Sequence, residues 1–130
     1  MPENKSSDRM QINDDLDKLL DILPVEIRSE LQDHPQRDQL IEVVLDLGRL
    51  PEARFADQAV DLGENPVTQT DLDHCIARVG HFSGDSRAGI ERTLHRISAI
   101  RNRTGEIIGL TCRIGRAVFG TIDMISDLVT

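Results

Sequence analysis

The sequence is poor in aromatic side chains: it contains no Trp, no Tyr and only Phe55, Phe82 and Phe119. Many proteins that bind single-stranded nucleic acids stack the bases on aromatic rings, so this scarcity argues against such a platform. With so few rings, the core must be built mainly from Leu, Ile and Val. A chain of 130 residues suits one small domain with a core of modest size.

Cysteine and long apolar runs are scarce as well. Cys75 and Cys112 are too few for a disulfide framework, and no run approaches the roughly 18 apolar residues that indicate a membrane-spanning helix. The first ten residues are polar and lack the apolar stretch of a secretory signal peptide. We therefore expect reduced thiols and a cytoplasmic or stromal-type location.

Metal-ligand motifs are missing from the sequence. The candidate nitrogen and sulfur ligands are His74, Cys75, His81, His95 and Cys112, and none shows CxxC or HxxxH spacing. Cys75 falls on the apolar side of a predicted helix, where the expected role is that of an inert core thiol. The sequence therefore predicts no metal site.

The sequence also lacks the motifs of nucleophilic catalysis and of nucleotide binding. It contains neither GxSxG nor SxxK. A Walker A phosphate loop ends in a glycine followed by Lys and then Ser or Thr, and neither Lys5 nor Lys18 follows a glycine-rich loop. We expect this chain to be no enzyme by itself and to bind no cofactor.

Charge is unevenly distributed. The net charge is -8, yet residues 87–130 contain seven Arg, no Lys and only four acidic residues. The acidic first part repels polyanions at long range, whereas the arginines of the second part favour bidentate contacts with phosphate, carboxylate or a partner surface.

The first half of the chain predicts two helices and then strands. Leu16, Leu19, Leu20 and Leu23 have helical spacing, and Pro24 separates the helix over 12–23 from a second helix over 25–33. The dense apolar, β-branched run that follows predicts strands over 39–47, 52–55 and 58–62. A helix over 36–47 is the competing interpretation.

The second half predicts three more helices and a hairpin. Thr68 and Asp71 form a capping-box pattern at the start of a helix over 68–79. Ile90 and Leu94 favour a short helix over 87–94, and a final amphipathic pattern predicts a helix over 116–129. Between these, apolar alternation around Gly105 predicts a β-hairpin near 95–114. The fold class is therefore α+β, a small antiparallel sheet covered by amphipathic helices.

Three segments carry a resemblance to a known family. They read LDLGRLPEARF, DLDHCIARVGHFSGDSRAGIER and TLHRISAIRNRTGEIIGLTCRIGRAVFGTIDMISDLV. Together they resemble the N-terminal region of cyanobacterial and plastid P-loop ATPases related to stage III sporulation protein AA and to secretion ATPases. The resemblance covers about residues 14–130 and is more specific in the second half.

The resemblance implies a domain organisation and a function. The polar composition of residues 1–11 predicts a disordered tail, and the resemblance implies that residues 12–130 are a single N-terminal domain that ends just before the expected ATPase domain. ATP and Mg²⁺ are expected only with that missing domain. The implied role is non-catalytic: assembly and regulation, with the ATPase domain or neighbouring subunits as partners and a homo-oligomer as the full-length state.

The arginines are the candidate site residues. Within the family reading, Arg113 and Arg116 are expected to face a nucleotide phosphate at a subunit boundary. An alternative is a nucleic-acid-binding module that uses Arg96, Arg101 and Arg103 of the hairpin. A solvated strand face, or a patch that meets an unrelated protein, also stays open at this point.

Overall fold

The computed structural model describes residues 11–13 and 15–119, which form an α+β domain, as predicted. Helices and strands follow in chain order and are numbered separately. The helices are α1 (Leu16–Leu20), α2 (Val25–Gln32) and α3 (Gln69–Val79). The strands are β1 (Gln11–Asn13), β2 (Leu40–Asp46), β3 (Glu52–Phe55), β4 (Ala59–Asp61), β5 (Arg87–Gly89), β6 (Arg96–Arg101), β7 (Ile107–Arg113) and β8 (Ala117–Phe119).

Six of these strands form one antiparallel sheet in the order β4-β3-β2-β7-β6-β5. β1 and β8 pair separately as a two-stranded sheet. The β6–β7 hairpin turns at Gly105, whose φ of 89° suits glycine and confirms the predicted turn. Among the described residues, no helix is long and apolar enough to cross a membrane.

The core lies between one face of the large sheet and the helices. On β2, Val43 and Leu45 are fully buried while Val44 between them is partly exposed, which is the alternation expected of a strand with one buried face. On the helix side, Leu19, Leu20 and Leu72 are fully buried in the same cluster. Leu, Ile and Val therefore dominate the core, as the lack of aromatics predicted.

The best local signals are confirmed. The side-chain oxygen of Thr68 accepts a hydrogen bond from the Asp71 backbone N–H (3.2 Å), and the Asp71 carboxylate accepts one from the Thr68 N–H (3.0 Å). This capping box opens α3, and Gly80 ends it with a φ of 93°. The strand predicted over 39–47 is β2, so the competing helix over 36–47 is wrong, although a 3₁₀ turn spans Arg37–Gln39.

Three predicted helices need correction. The segment 87–94 begins with strand β5, because its backbone pairs with β6 and its Leu94 stays 51% exposed instead of entering the core. The helix over 12–23 shortens to α1, because Asp15 adopts a left-handed φ of 47° before it. The helix over 116–129 does not begin as predicted, since residues 117–119 are strand β8. Its remainder, and all but the last residue of the predicted tail over 1–11, lie outside the described residues.

Candidate interaction surface

The predicted ligand-type residues are part of the fold. His95 is fully buried, and its Nδ1 accepts a hydrogen bond from the Gly115 backbone N–H at 3.0 Å. Its Nε2 therefore carries the proton and donates to the Asp15 carbonyl at 2.9 Å. Both ring nitrogens are used in joining three chain segments. His74 Nε2 lies 3.2 Å from the Leu23 carbonyl, and His81 is exposed.

Both thiols are core groups, as predicted for Cys75. Burial raises the pKa of Cys75 to about 12, and burial likewise raises the pKa of Cys112. A thiol with a raised pKa is largely protonated at neutral pH and is a poor nucleophile. Within residues 11–13 and 15–119, no group of three His, Cys, Asp or Glu side chains could hold a metal ion.

The outer face of the large sheet, opposite the core, gathers arginines on β5, β6 and β7. Arg113 pairs across the strands with Arg96, and Arg87 lies on the neighbouring strand opposite Ser98. All three arginines are exposed. With Thr111 and other residues they line a shallow groove of about 560 Å³. We call Arg87, Arg96 and Arg113 the arginine half of the outer face.

The arginine half is positively charged, although Asp85 interacts electrostatically with Arg87 and Glu42 lies opposite Arg113 in the strand register. Two arginines directly opposite each other on adjacent strands repel, yet none of the ion pairs among the described residues includes Arg87, Arg96 or Arg113. The Arg96 Nη1 donates to the carbonyl of the preceding residue at 3.0 Å. It also lies close over Gly89, where an added Cβ would come within 3.3 Å of it. The missing side chain of Gly89 thus leaves room for the guanidinium.

The other half of the same face is acidic. It carries one or two carboxylates on each of β2, β3 and β4, and we call it the carboxylate half: Glu42, Asp46, Glu52 and Asp61. Arg54 lies among them and donates to Glu42 (2.8 Å) and Glu52 (3.0 Å). The hydrogen bond with Glu52 is the main cause of its raised pKa. Arg49 also lines a groove beside these carboxylates, so the half has four carboxylates and two arginines and remains acidic.

The strand register places the two halves on common rows. One row crosses all six strands and has Arg87 at one end and Asp61 at the other, with Ser98 and Glu52 between them. A parallel row contains Arg96, Arg113, Glu42 and Arg54. The outer face is therefore divided along a line between β7 and β2, with positive charge on one side and negative charge on the other.

The predicted arginine groups do not stay together. Of the hairpin group, Arg101 donates to the Ser86 hydroxyl and the Gly105 carbonyl, both at 2.8 Å, and Arg103 lies on the exposed turn. Both lie at the turn end of the hairpin, whereas Arg96 begins β6 at its other end.

The pair Arg113 and Arg116 also separates. Arg116 donates to the backbone carbonyl of Leu40 at 2.6 Å, whereas Arg113 lies on the outer face. Sequence reasoning missed Arg87 and Glu42 as members of this surface. Alternation along β2 could have placed Glu42 on the outer face, but assigning 87–94 to a helix removed Arg87 from the sheet.

Comparisons with known proteins give relatives over most of the chain. No family model matches. The chain is 61% identical over 120 residues to the uncharacterized protein ycf45 of Porphyra purpurea, covering 92% of this chain and 21% of that protein. It is 53% identical over 115 residues to Protein SEEDLING PLASTID DEVELOPMENT 1 of Arabidopsis thaliana, covering 88% and 17%. The ycf45 protein of Cyanidium caldarium is 43% identical over 120 residues, covering 92% and 36%.

A solved structure shows weaker likeness. The Legionella pneumophila ATPase DotB has a TM-score of 0.42 and 10% sequence identity, over 65% of this chain and 27% of that one. The predicted membership of the sporulation-related P-loop ATPases is corrected by the curated relatives, which match about nine-tenths of the chain and are named as ycf45 or plastid development proteins. The names of these three relatives state no enzymatic activity. The chain spans about a fifth of the length of the first two of these relatives.

Proposed function

We propose that this chain is a non-catalytic assembly domain and that two copies pair through the outer face of the large sheet. The division of this face into an arginine half and a carboxylate half carries the proposal. The name of the Arabidopsis relative refers to plastid development, which supports a plastid setting for this role. An enzymatic function is less well supported, because both thiols are buried and protonated and the sequence contains no nucleophile motif.

The strand order makes the face self-complementary. A two-fold axis that runs parallel to the strands, between β7 and β2, lays β7 over β2 of the second copy, β6 over β3 and β5 over β4. Such an interface is isologous, so each contact occurs twice. On the row that crosses all six strands, Arg87 of one copy then lies over Asp61 of the other, and Ser98 over Glu52.

The second row behaves differently. There, Arg113 lies over Glu42 of the second copy, which is favourable, but Arg96 lies over Arg54. Arg54 already holds Glu42 and Glu52 at hydrogen-bond distance, and these carboxylates supply negative charge beside the incoming Arg96. The second row therefore contributes less than the first.

The expected association is weak and specific. Exposed ion pairs contribute about 0–1 kcal/mol each, and complementary charge acts mainly on the association rate and on the choice of partner. Raising the salt concentration should therefore weaken the pairing, because surface charges are screened.

Reversing the charge at either end of the row that crosses all six strands tests the proposal. Arg87→Asp and Asp61→Arg lie on edge strands and away from the core, so each variant should fold. Each single variant should associate at least about tenfold more weakly, equivalent to about 1.4 kcal/mol, as measured by sedimentation velocity over a concentration series. A mixture of the two should recover heterodimers, because both contacts become opposite in charge again.

Two control variants and the behaviour of the wild-type chain complete the test of the pairing. Arg103→Asp and Asp57→Arg change the same charges on turns outside the face and should leave association unchanged. A wild-type chain that stays monomeric at every concentration and salt level would rule out the proposal.

The nucleic-acid alternative is not favoured, since Arg101 and Arg103 lie apart from Arg96. A single-stranded oligonucleotide titrated at low salt checks it directly.

A further inference from the structure

A second surface, unrelated to the sheet face, lies between the start of α2 and the loop at residues 62–65. Its floor is apolar: Ile27 and Leu62 are buried, and Val25 stays 58% exposed at its edge. Pro24 and Pro51 add further apolar area. The groove has a volume of about 480 Å³, comparable to clefts that take ligands.

The rim of this groove is acidic. Four carboxylates line it, and no Lys, Arg or His is among its described lining residues: Glu26, Glu30, Glu64 and Asp71. Asp71 is committed to the capping box of α3. Glu26 lies in the first turn of α2, where the helix dipole stabilises a negative charge. No ion pair among the described residues includes Glu30 or Glu64, so the fold does not account for these two charges.

We infer that this groove binds an extended peptide segment in which Lys or Arg residues flank an aliphatic residue. The exposed Val25 and the floor beneath it accept the aliphatic side chain, which would otherwise remain in water. Glu26, Glu30 and Glu64 accept the flanking cations. An anionic segment would meet repulsion from these carboxylates, and a simple cation would leave the apolar floor uncovered. This site shares no residue with the sheet face, so it stands independently of the assembly proposal.

The test uses a capped synthetic peptide, Lys-Lys-Leu-Gly-Leu-Lys-Lys, titrated into the ¹⁵N-labelled chain at physiological salt. Shifts should concentrate at Val25 and at the residues around Glu30 and Glu64. The triple variant Glu26→Gln, Glu30→Gln, Glu64→Gln should bind at least about tenfold more weakly, because three exposed ion pairs with the peptide are lost. Val25→Ser should weaken binding several-fold without changing charge.

Matched controls separate groove binding from general attraction to an acidic protein. Asp57→Asn, Asp73→Asn and Glu91→Gln remove the same net charge from exposed positions outside the groove and should leave the affinity unchanged. A peptide with Ser in place of both Leu residues should bind weakly. Shifts spread over the whole surface, equal binding of the serine peptide, or no effect of the triple glutamine variant would each overturn the inference.

Discussion

The two faces of the large sheet are built from alternate residues of the same strands, yet they differ in burial and in charge. On the inner face Leu45, Ile97 and Leu110 are fully buried in one cluster. On the outer face Arg96 and Arg113 are exposed and have no ion pair among the described residues. The inner face therefore carries the stability of the domain, and the outer face is free to carry contacts with a partner. The substitutions below test this assignment of roles to the two faces.

The largest effect is expected from a cavity on the inner face. Leu110→Ala removes a fully buried side chain, and such changes lower the free energy of unfolding by about 2–5 kcal/mol. The neighbouring Thr111→Ala, on the outer face, should change it by less than about 1 kcal/mol. Urea unfolding followed by circular dichroism measures both. Similar losses in the two variants would contradict the assignment of faces.

A tight backbone crossing gives the second prediction. A Cβ added at Gly115 would lie 2.1 Å from the Leu94 carbonyl oxygen, so Gly115→Ala must displace backbone beside the buried His95. Overpacking of this kind typically costs about 1–3 kcal/mol. Gly84→Ala is the matched control, because nothing lies within 4 Å of its Cβ and its φ is not positive. A neutral Gly115→Ala in thermal unfolding would mean that this crossing is looser than described.

The third change acts on the outer face alone. Gly89→Ala brings a methyl group to 3.3 Å from the Arg96 guanidinium, a flexible end that can move aside. We expect the free energy of unfolding to change by less than about 1 kcal/mol and the Arg96 side-chain NMR signals to shift. Self-association should change far less than in Arg87→Asp, because Arg96 would lie over Arg54 of the second copy. A loss of association as large as that of Arg87→Asp would contradict the proposed alignment of the two copies.

Much of the inner face could be predicted from the sequence, because its signals are local. The β-branched run of β2 and the capping box of α3 each depend on residues within one segment, and both appear in the structure. The buried role of Cys75 followed from its place on the same helix.

The outer face could not be predicted, because it depends on pairings between distant segments. Only the contact of β2 with β7 brings Glu42 beside Arg113. The three-residue β5 owes its conformation to backbone pairing with β6, and so short an edge strand leaves no periodicity in its sequence. Arg87 was missed for that reason.

The smallest expected effect lies at the tip of the β6–β7 hairpin, where an exposed carboxylate is still held in place. Hydrogen bonds from Asn102 and Thr104 lower the pKa of Glu106 below its usual value. A lowered folded-state pKa means that these bonds stabilise the fold above the unfolded-state pKa and are lost as pH falls through the folded one. An NMR titration of the Glu106 carboxyl carbon should therefore show a midpoint below the usual value for glutamate. Asn102→Ala should move the midpoint back up, and an unchanged midpoint would show that solvent, and not the turn, sets the titration. Because Glu106 is fully exposed, Asn102→Ala should change the free energy of unfolding less than the three substitutions above. The hydrogen bonds of this turn therefore order an exposed loop without adding appreciably to the stability that the inner face supplies.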